Sequence, residues 1–198
     1  LIVLGLDVSK HTGFAIMKDG NILSSGTFNV DCKKHTNIVN EYNYIEESII
    51  LANFVVKLIE DYNVNEIYIE QTNRGINRHS QKELEFLHYG ILKRILDKNY
   101  SEKVNYVDTS AWRSLLKIRL NKEQKIHNKD VRNKKKRGKI TTKHLVVNWV
   151  NETFKKELIL KDNNEADAIA LAYYGLCTLN NLQKNNNSEL SLQDAFNL

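Results

Sequence analysis

The sequence predicts one α/β domain built on a mixed five-stranded sheet with helices on both faces. Three observations carry that expectation. Apolar, β-branched runs open the chain as hairpins, helical periods then alternate with later strands, and 198 residues suffice for one substantial core. Apolar residues make up 41% of the chain and charged residues 27%, which excludes wholesale disorder. No apolar run approaches the roughly eighteen residues of a membrane span, so no membrane association is expected.

LIVLGLDVSK has Asp7 inside an apolar run and no charged lead-in, so residues 1–8 read as a strand rather than a signal peptide. Residues 12–18 and 21–30 follow as two more strands, joined by the Asp19-Gly20 turn. Residues 31–39 read as loop. Tyr42, Ile45, Ile49, Ala52, Val56 and Ile59 then recur at helical spacing, the mark of a long amphipathic helix. Val64 to Ile69 is a short apolar strand that ends on Glu70. Residues 81–97 return to helical period through Leu84, Leu87, Ile91 and Ile95. Val104 to Val107 is the fifth strand, and Asp108 or Thr109 can cap the helix that carries Trp112. Strands one, four and five are expected to be parallel, joined by right-handed crossovers.

The stretch from Ile118 to Lys139 has few apolar residues and no helical period, so it reads as an exposed basic loop. Val146, Trp149, Val150 and Phe154 share one face of a further helix, and a last helix runs from Asn164 to about Leu179. Residues 1–179 thus form a single domain with its basic loop at about 118–139, and residues 180–198 read as a polar, Asn-rich tail.

The net charge of +5 is unevenly placed. Between Arg113 and Lys143 stand 13 Lys or Arg against two acids, which leaves the rest of the chain net acidic. Nucleic-acid phosphates are the usual partner of such a strip, because each cation that neutralises one releases counterions. Arg113, Lys134, Lys135, Lys136, Arg137, Lys139 and Lys143 are its candidate contacts. Arg74 and Arg78, flanking a turn at Gly75, are further candidates.

Asp7 and Glu70 both end apolar strands, and parallel neighbours would bring them to one end of the sheet. Asp167 lies inside NEADAIALAYYGL, apolar almost all round, where a buried carboxylate needs a cation or strong donors. Glu165 precedes it near the helix start, where the helix dipole tolerates an anion. Acids that converge without a His or Cys cluster suit a hard cation, Mg²⁺ or Mn²⁺. Two such ions about 4 Å apart promote phosphodiester hydrolysis. Carboxylates beside a phosphate-seeking strip indicate a nuclease. The six histidines show no paired ligand spacing, and Trp112 reads as a core anchor beneath the fifth strand.

Four segments together resemble a known family. GLDVSKHTGFAI, IYIEQ, VDTSAWR and EADAIALAYYG are similar, in that order, to the motifs of RuvC-type Holliday-junction resolvases of the RNase H-like superfamily. VDTSAWR resembles the phage and poxvirus members in particular. The resemblance implies Asp7, Glu70 and Asp167 as catalytic metal ligands, two Mg²⁺ ions per site with Mn²⁺ able to substitute, branched DNA as substrate, and a homodimer. It expects a fourth acid where this chain has Asn164, with Glu165 the nearest substitute. Bacterial members carry an aromatic at the place of Asn73, so their junction-wedging residue is missing. Cys32 and Cys177 form no Cys-x-x-Cys pair, which makes a disulfide framework or cysteine zinc site unexpected. Abundant Asn, Lys and Ile have A/T-rich codons. The chain therefore reads as cytoplasmic, from a bacterial cell interior or a phage genome. Two alternatives are a non-catalytic DNA-binding protein of the same fold and an actin- or sugar-kinase-like phosphotransferase, which would need a second Gly-rich loop and a duplicate domain.

Overall fold

The computed structural model describes every residue except 32–38, 73–77, 134–136 and 197–198. The apolar N-terminal run forms β1 (Ile2–Asp7) and folds back through Ser9 and Thr12 into β2 (His11–Lys18). The Thr12 hydroxyl accepts from the Ser9 N–H at 3.2 Å and fixes that corner. Asp19 and Gly20, both at positive φ, turn the chain into β3 (Asn21–Asn29). The crossover strands β4 (Glu66–Glu70) and β5 (Val104–Val107) pair in parallel with each other, and β4 with β1. The sheet order is β3-β2-β1-β4-β5, the mixed five-stranded arrangement that the sequence predicts.

Side-chain alternation along the strands divides the core in two. Leu4, Leu6, Ile16, Ile67 and Ile69 face α1 (Asn40–Tyr62) and α2 (Arg78–Asp97). Val3, Ala15, Met17 and Tyr68 face the other way, against α3 (Thr109–Leu115), α5 (Thr142–Phe154) and α6 (Asn163–Phe196). Among the described residues no helix is long and apolar enough to cross a membrane.

Three expectations need correction. The first concerns α1, whose N-terminal half turns Tyr42, Ile45 and Ile49 outward and buries Tyr44, Glu47, Ser48 and Leu51. Ser48 has to face α2 because Gly90 approaches it so closely that a Cβ there would lie 2.6 Å from the Ser48 Cβ. Glu47 tolerates burial because the Lys10 ammonium bonds it at 3.0 Å. The same ammonium bonds Glu83 at 2.6 Å, tying the β1–β2 corner to both helices.

The second correction concerns the basic stretch, which contains a helix, α4 (Lys122–Arg132). It buries no residue, so it leaves no apolar period to read. A capping box starts it instead: Asn121 accepts from the Gln124 N–H at 2.8 Å, and Gln124 accepts from the Asn121 N–H at 3.0 Å. The third concerns the chain end, where α6 continues past Leu179 to Phe196 instead of fraying into a tail.

Candidate active site

In the β1–β4 ladder Leu6 stands opposite Ile69, so Asp7 and Glu70 lie at the carboxyl ends of neighbouring parallel strands in the middle of the sheet. Alternation sends both side chains toward α6, in phase with Val3 on β1 and Tyr68 on β4. Two glycines let that helix come close. A Cβ on Gly5 would lie 2.3 Å from the Ala168 carbonyl oxygen, and one on Gly13 would lie 1.8 Å from that of Asn164. Gly13 pairs with Asp7 across the β1–β2 ladder. The first turns of α6 therefore rest on the backbone beside Asp7, and Asp167 is delivered there with 7% of its surface exposed.

The electrostatics of the three acids follow from this crowding. Burial pushes the Asp7 carboxyl up to about 8, with the charges of Asp167 and Glu70 adding to the effect and Lys143 and Arg113 opposing it. Burial also raises Asp167, to about 7, against the attraction of Arg113. The Arg113 guanidinium lies 4.0 Å from Asp167 Oδ2 and over the Trp112 ring, 4.8 Å from its centroid. Asp167 Oδ1 and Arg113 Nε are both buried without a hydrogen-bond partner. Glu70 is held differently. The Thr109 hydroxyl donates to Oε1 at 2.6 Å and the Trp112 indole N–H donates to Oε2 at 3.0 Å. The sequence pattern assigns Trp112 to the core alone, and its indole donor is the feature that pattern does not reveal.

Glu165 does not join this group. Its Oε1 accepts from Ser25 at 2.7 Å and from Lys156 at 2.6 Å, beside β3. Two residues along a helix turn a side chain by about 200°, so Glu165 and Asp167 point to opposite sides. Asn164, about 300° from Asp167, stays on the site's side and donates from Nδ2 to the His11 carbonyl at 2.5 Å. Among the basic candidates, Arg113 pairs with Asp167 at 4.0 Å and acts on Asp7 through its charge. Lys143, at the start of α5, acts electrostatically on Asp7 and Asp167 and donates to Asn163 at 2.6 Å. Arg78, Arg137 and Lys139 are exposed, and among the described residues none of them pairs with a carboxylate. Arg74, Lys134, Lys135, Lys136 and the Asn73 position lie outside the described residues.

The donors decide the fit to a cation. Asp7 and Asp167 are hard oxygen donors whose mutual repulsion a divalent ion would relieve, and Asp167 Oδ1 has no other partner. Among the described residues no three His, Cys, Asp or Glu side chains are already gathered as a cage for one ion. Both Glu70 oxygens accept hydrogen bonds, from Thr109 and Trp112. The two aspartates fit the ion as placed, and Glu70 fits as a ligand already oriented by donors behind it.

The sheet order, its parallel crossovers and the helices on both faces make up a fold like that of RuvC. No family profile and no curated protein matches the sequence. Among solved structures, the chain is similar to Thermus thermophilus RuvC in complex with a Holliday junction substrate, with a TM-score of 0.57, 11% identity, and 88% of this chain and 91% of that one covered. A second Thermus thermophilus RuvC structure gives a TM-score of 0.58 at 13% identity, with 88% and 92% covered. The yeast mitochondrial Holliday junction resolvase Ydc2 matches at 18% identity and a TM-score of 0.48, with 87% and 76% covered.

Proposed function

We propose that the protein is a metal-dependent, structure-selective DNA endonuclease that nicks four-way (Holliday) junctions and other branched DNA by two-metal phosphodiester hydrolysis. The observation that carries this reading is the buried Asp7–Asp167 pair beside Glu70, with Arg113 and Lys143 facing it, at the end of a RuvC-like sheet. Mg²⁺ or Mn²⁺ bound there supplies the electrophilic pull on the phosphodiester.

The protein's own residues do the rest. Asp7 and Asp167 give up their protons when the cation arrives, so binding weakens as the pH falls. Thr109 and Trp112 hold Glu70 in one orientation. Arg113 and Lys143 supply the positive charge that draws a phosphate toward three acids, which alone would repel it. The Trp112–Arg113 pair at the centre supports placing the chain with the phage and poxvirus members. Two cuts on opposite strands require two such centres, so the reading includes a homodimer.

The engagement of Glu70 by Trp112, and of Asp167 by Arg113, also favours a second reading: a branched-DNA-binding protein without turnover. One experiment separates them. A four-way junction is incubated with Mg²⁺ and wild-type protein, Asp7→Asn or Glu70→Gln, and binding is followed in parallel in chelator. Nicking by wild type alone, with binding retained by all three, supports the nuclease. Binding without nicking by any of them establishes the second reading.

A further inference from the structure

Four cations line a cavity of about 440 Å³ beside α4: Lys125, Lys129 and Arg132 from the helix, and Lys139 from the segment that follows it. Leu120 and Val131 supply its apolar lining. The first three cations fall at i, i+4 and i+7, one stripe of a helix, where like charges repel one another and weaken the helix. Among the described residues none of the four forms an ion pair with a carboxylate.

The cavity is nevertheless built to a fixed shape. Asn128 bonds both backbone polar groups of Ile140: its Nδ2 donates to the carbonyl at 2.7 Å, and its Oδ1 accepts from the N–H at 2.8 Å. Next to it, His127 Nε2 donates to the Gly138 carbonyl at 2.8 Å. Gly138 itself stands at φ +79°, a left-handed conformation that glycine adopts without strain. A helix with no buried residue is thus held by polar contacts to the segment bearing Lys139. That arrangement keeps four cations gathered around one cavity.

We propose that this cavity binds the sugar–phosphate backbone of a duplex DNA arm, its cations on successive phosphates and its apolar lining against deoxyribose. The inference deepens the nuclease reading and rests on it for its biological setting. A backbone ligand fits better than a small anion for two reasons. The cations are spread along about two helical turns, and the cavity offers apolar as well as charged surface. Its place in the chain agrees, because α4 lies between α3, which carries Arg113, and α5, which carries Lys143. Asn128 is a positioning residue, acting only through the segment it holds.

The test uses a linear 20-base-pair duplex in chelator, so that neither a junction nor catalysis is needed, with binding measured across a KCl series. Three variants are compared with wild type: Lys125→Ala/Lys129→Ala/Arg132→Ala, a charge-matched control Lys57→Ala/Lys93→Ala/Lys98→Ala, and Asn128→Ala. The α4 triple should flatten the log–log salt slope by about 0.9 for each phosphate that is no longer neutralised, roughly two to three units in all. The control should leave the slope unchanged. Asn128→Ala keeps every charge yet should weaken binding about fivefold or more at low salt, with the melting midpoint of the domain retained. Wild-type protein that fails to bind the duplex, an unchanged slope in the α4 triple, or an equal flattening in the control overturns the proposal. A flattened slope without junction nicking by wild type defeats the nuclease reading and leaves the cavity assignment standing. Nicking with an unaltered slope does the reverse.

Discussion

The indole N–H of Trp112 donates to Glu70 Oε2 at 3.0 Å from a ring with no exposed surface. A donor to a carboxylate contributes about 1.5–3 kcal/mol, and its removal leaves an acceptor in a partly buried place. Trp112→Phe should therefore lower stability by about 2 kcal/mol, read as a shift of the urea midpoint at constant slope. The same variant should need more Mg²⁺ for half-maximal nicking, because Glu70 is no longer oriented. Unchanged Mg²⁺ dependence would confine Trp112 to packing.

Gly5 lets α6 touch the sheet. A Cβ there would meet Ala168 O at 2.3 Å and Ala172 N at 2.6 Å, both backbone atoms that cannot swing aside. Gly5→Ala should cost about 2–3 kcal/mol and push α6 outward, carrying Asp167 away from Asp7. Thermal melting checks the stability change. A nicking assay on the folded variant checks the second effect, which should be a drop well beyond tenfold.

The raised carboxyls set a pH dependence whose sign is fixed by linkage. Asp7 lies near 8 and Asp167 near 7 in the folded chain, against an ordinary 3.8, so the metal-free fold binds protons more tightly than the unfolded chain. Their contribution is full below about pH 4 and is lost as the pH rises through 7 and 8. In chelator, Asp7→Asn should melt about 3–6 °C above wild type at pH 8.5 and level with it near pH 4. Asp167→Asn should gain less, because Arg113 is then left beside a neutral amide. Saturating Mg²⁺ should reverse the trend in wild type, since the bound cation keeps both groups charged.

Glu165→Gln should behave as a fold variant. It exchanges a mostly buried ion pair with Lys156 for a neutral contact, and should cost about 1–2 kcal/mol while nicking survives. Abolished turnover in a folded Glu165→Gln protein would return that residue to the metal centre.

Strands β1, β2 and β4 are readable in the sequence because burial on two faces leaves an apolar run, whereas β3, which buries no residue, is marked by the Asp19-Gly20 turn before it. Asp7 and Glu70 are readable for the same reason, as acids that end such runs. Asp167 stands out as the one acid within an apolar helix. Glu165 misleads because nearness in sequence is not nearness in space, and the helical period sends it to Ser25 and Lys156. Helix α4 escapes because its stability comes from polar partners eleven or twelve residues away, His127 with Gly138 and Asn128 with Ile140, which no hydrophobic period records. Its one local sign is the Asn121–Gln124 capping box. Tyr42, Ile45 and Ile49 mislead in the opposite sense, since their helical spacing marks an exposed face while Glu47 and Ser48 turn inward.

The two cores on either side of the sheet divide the labour of the molecule unequally. Arg113, Lys143 and Asp167 reach the acids of β1 and β4 from α3, α5 and α6, and among the described residues no charged group of the centre comes from α1 or α2. Those two helices brace the strands from behind and are fastened at the β1–β2 corner through Lys10. Their outer surfaces can thus diverge, lengthen or acquire new contacts without displacing the centre, whereas one added methyl at Gly5 on the opposite side disturbs it. Descendants of such a chain should keep the small residues beneath α6 long after the sequence of the α1–α2 layer has become unrecognisable.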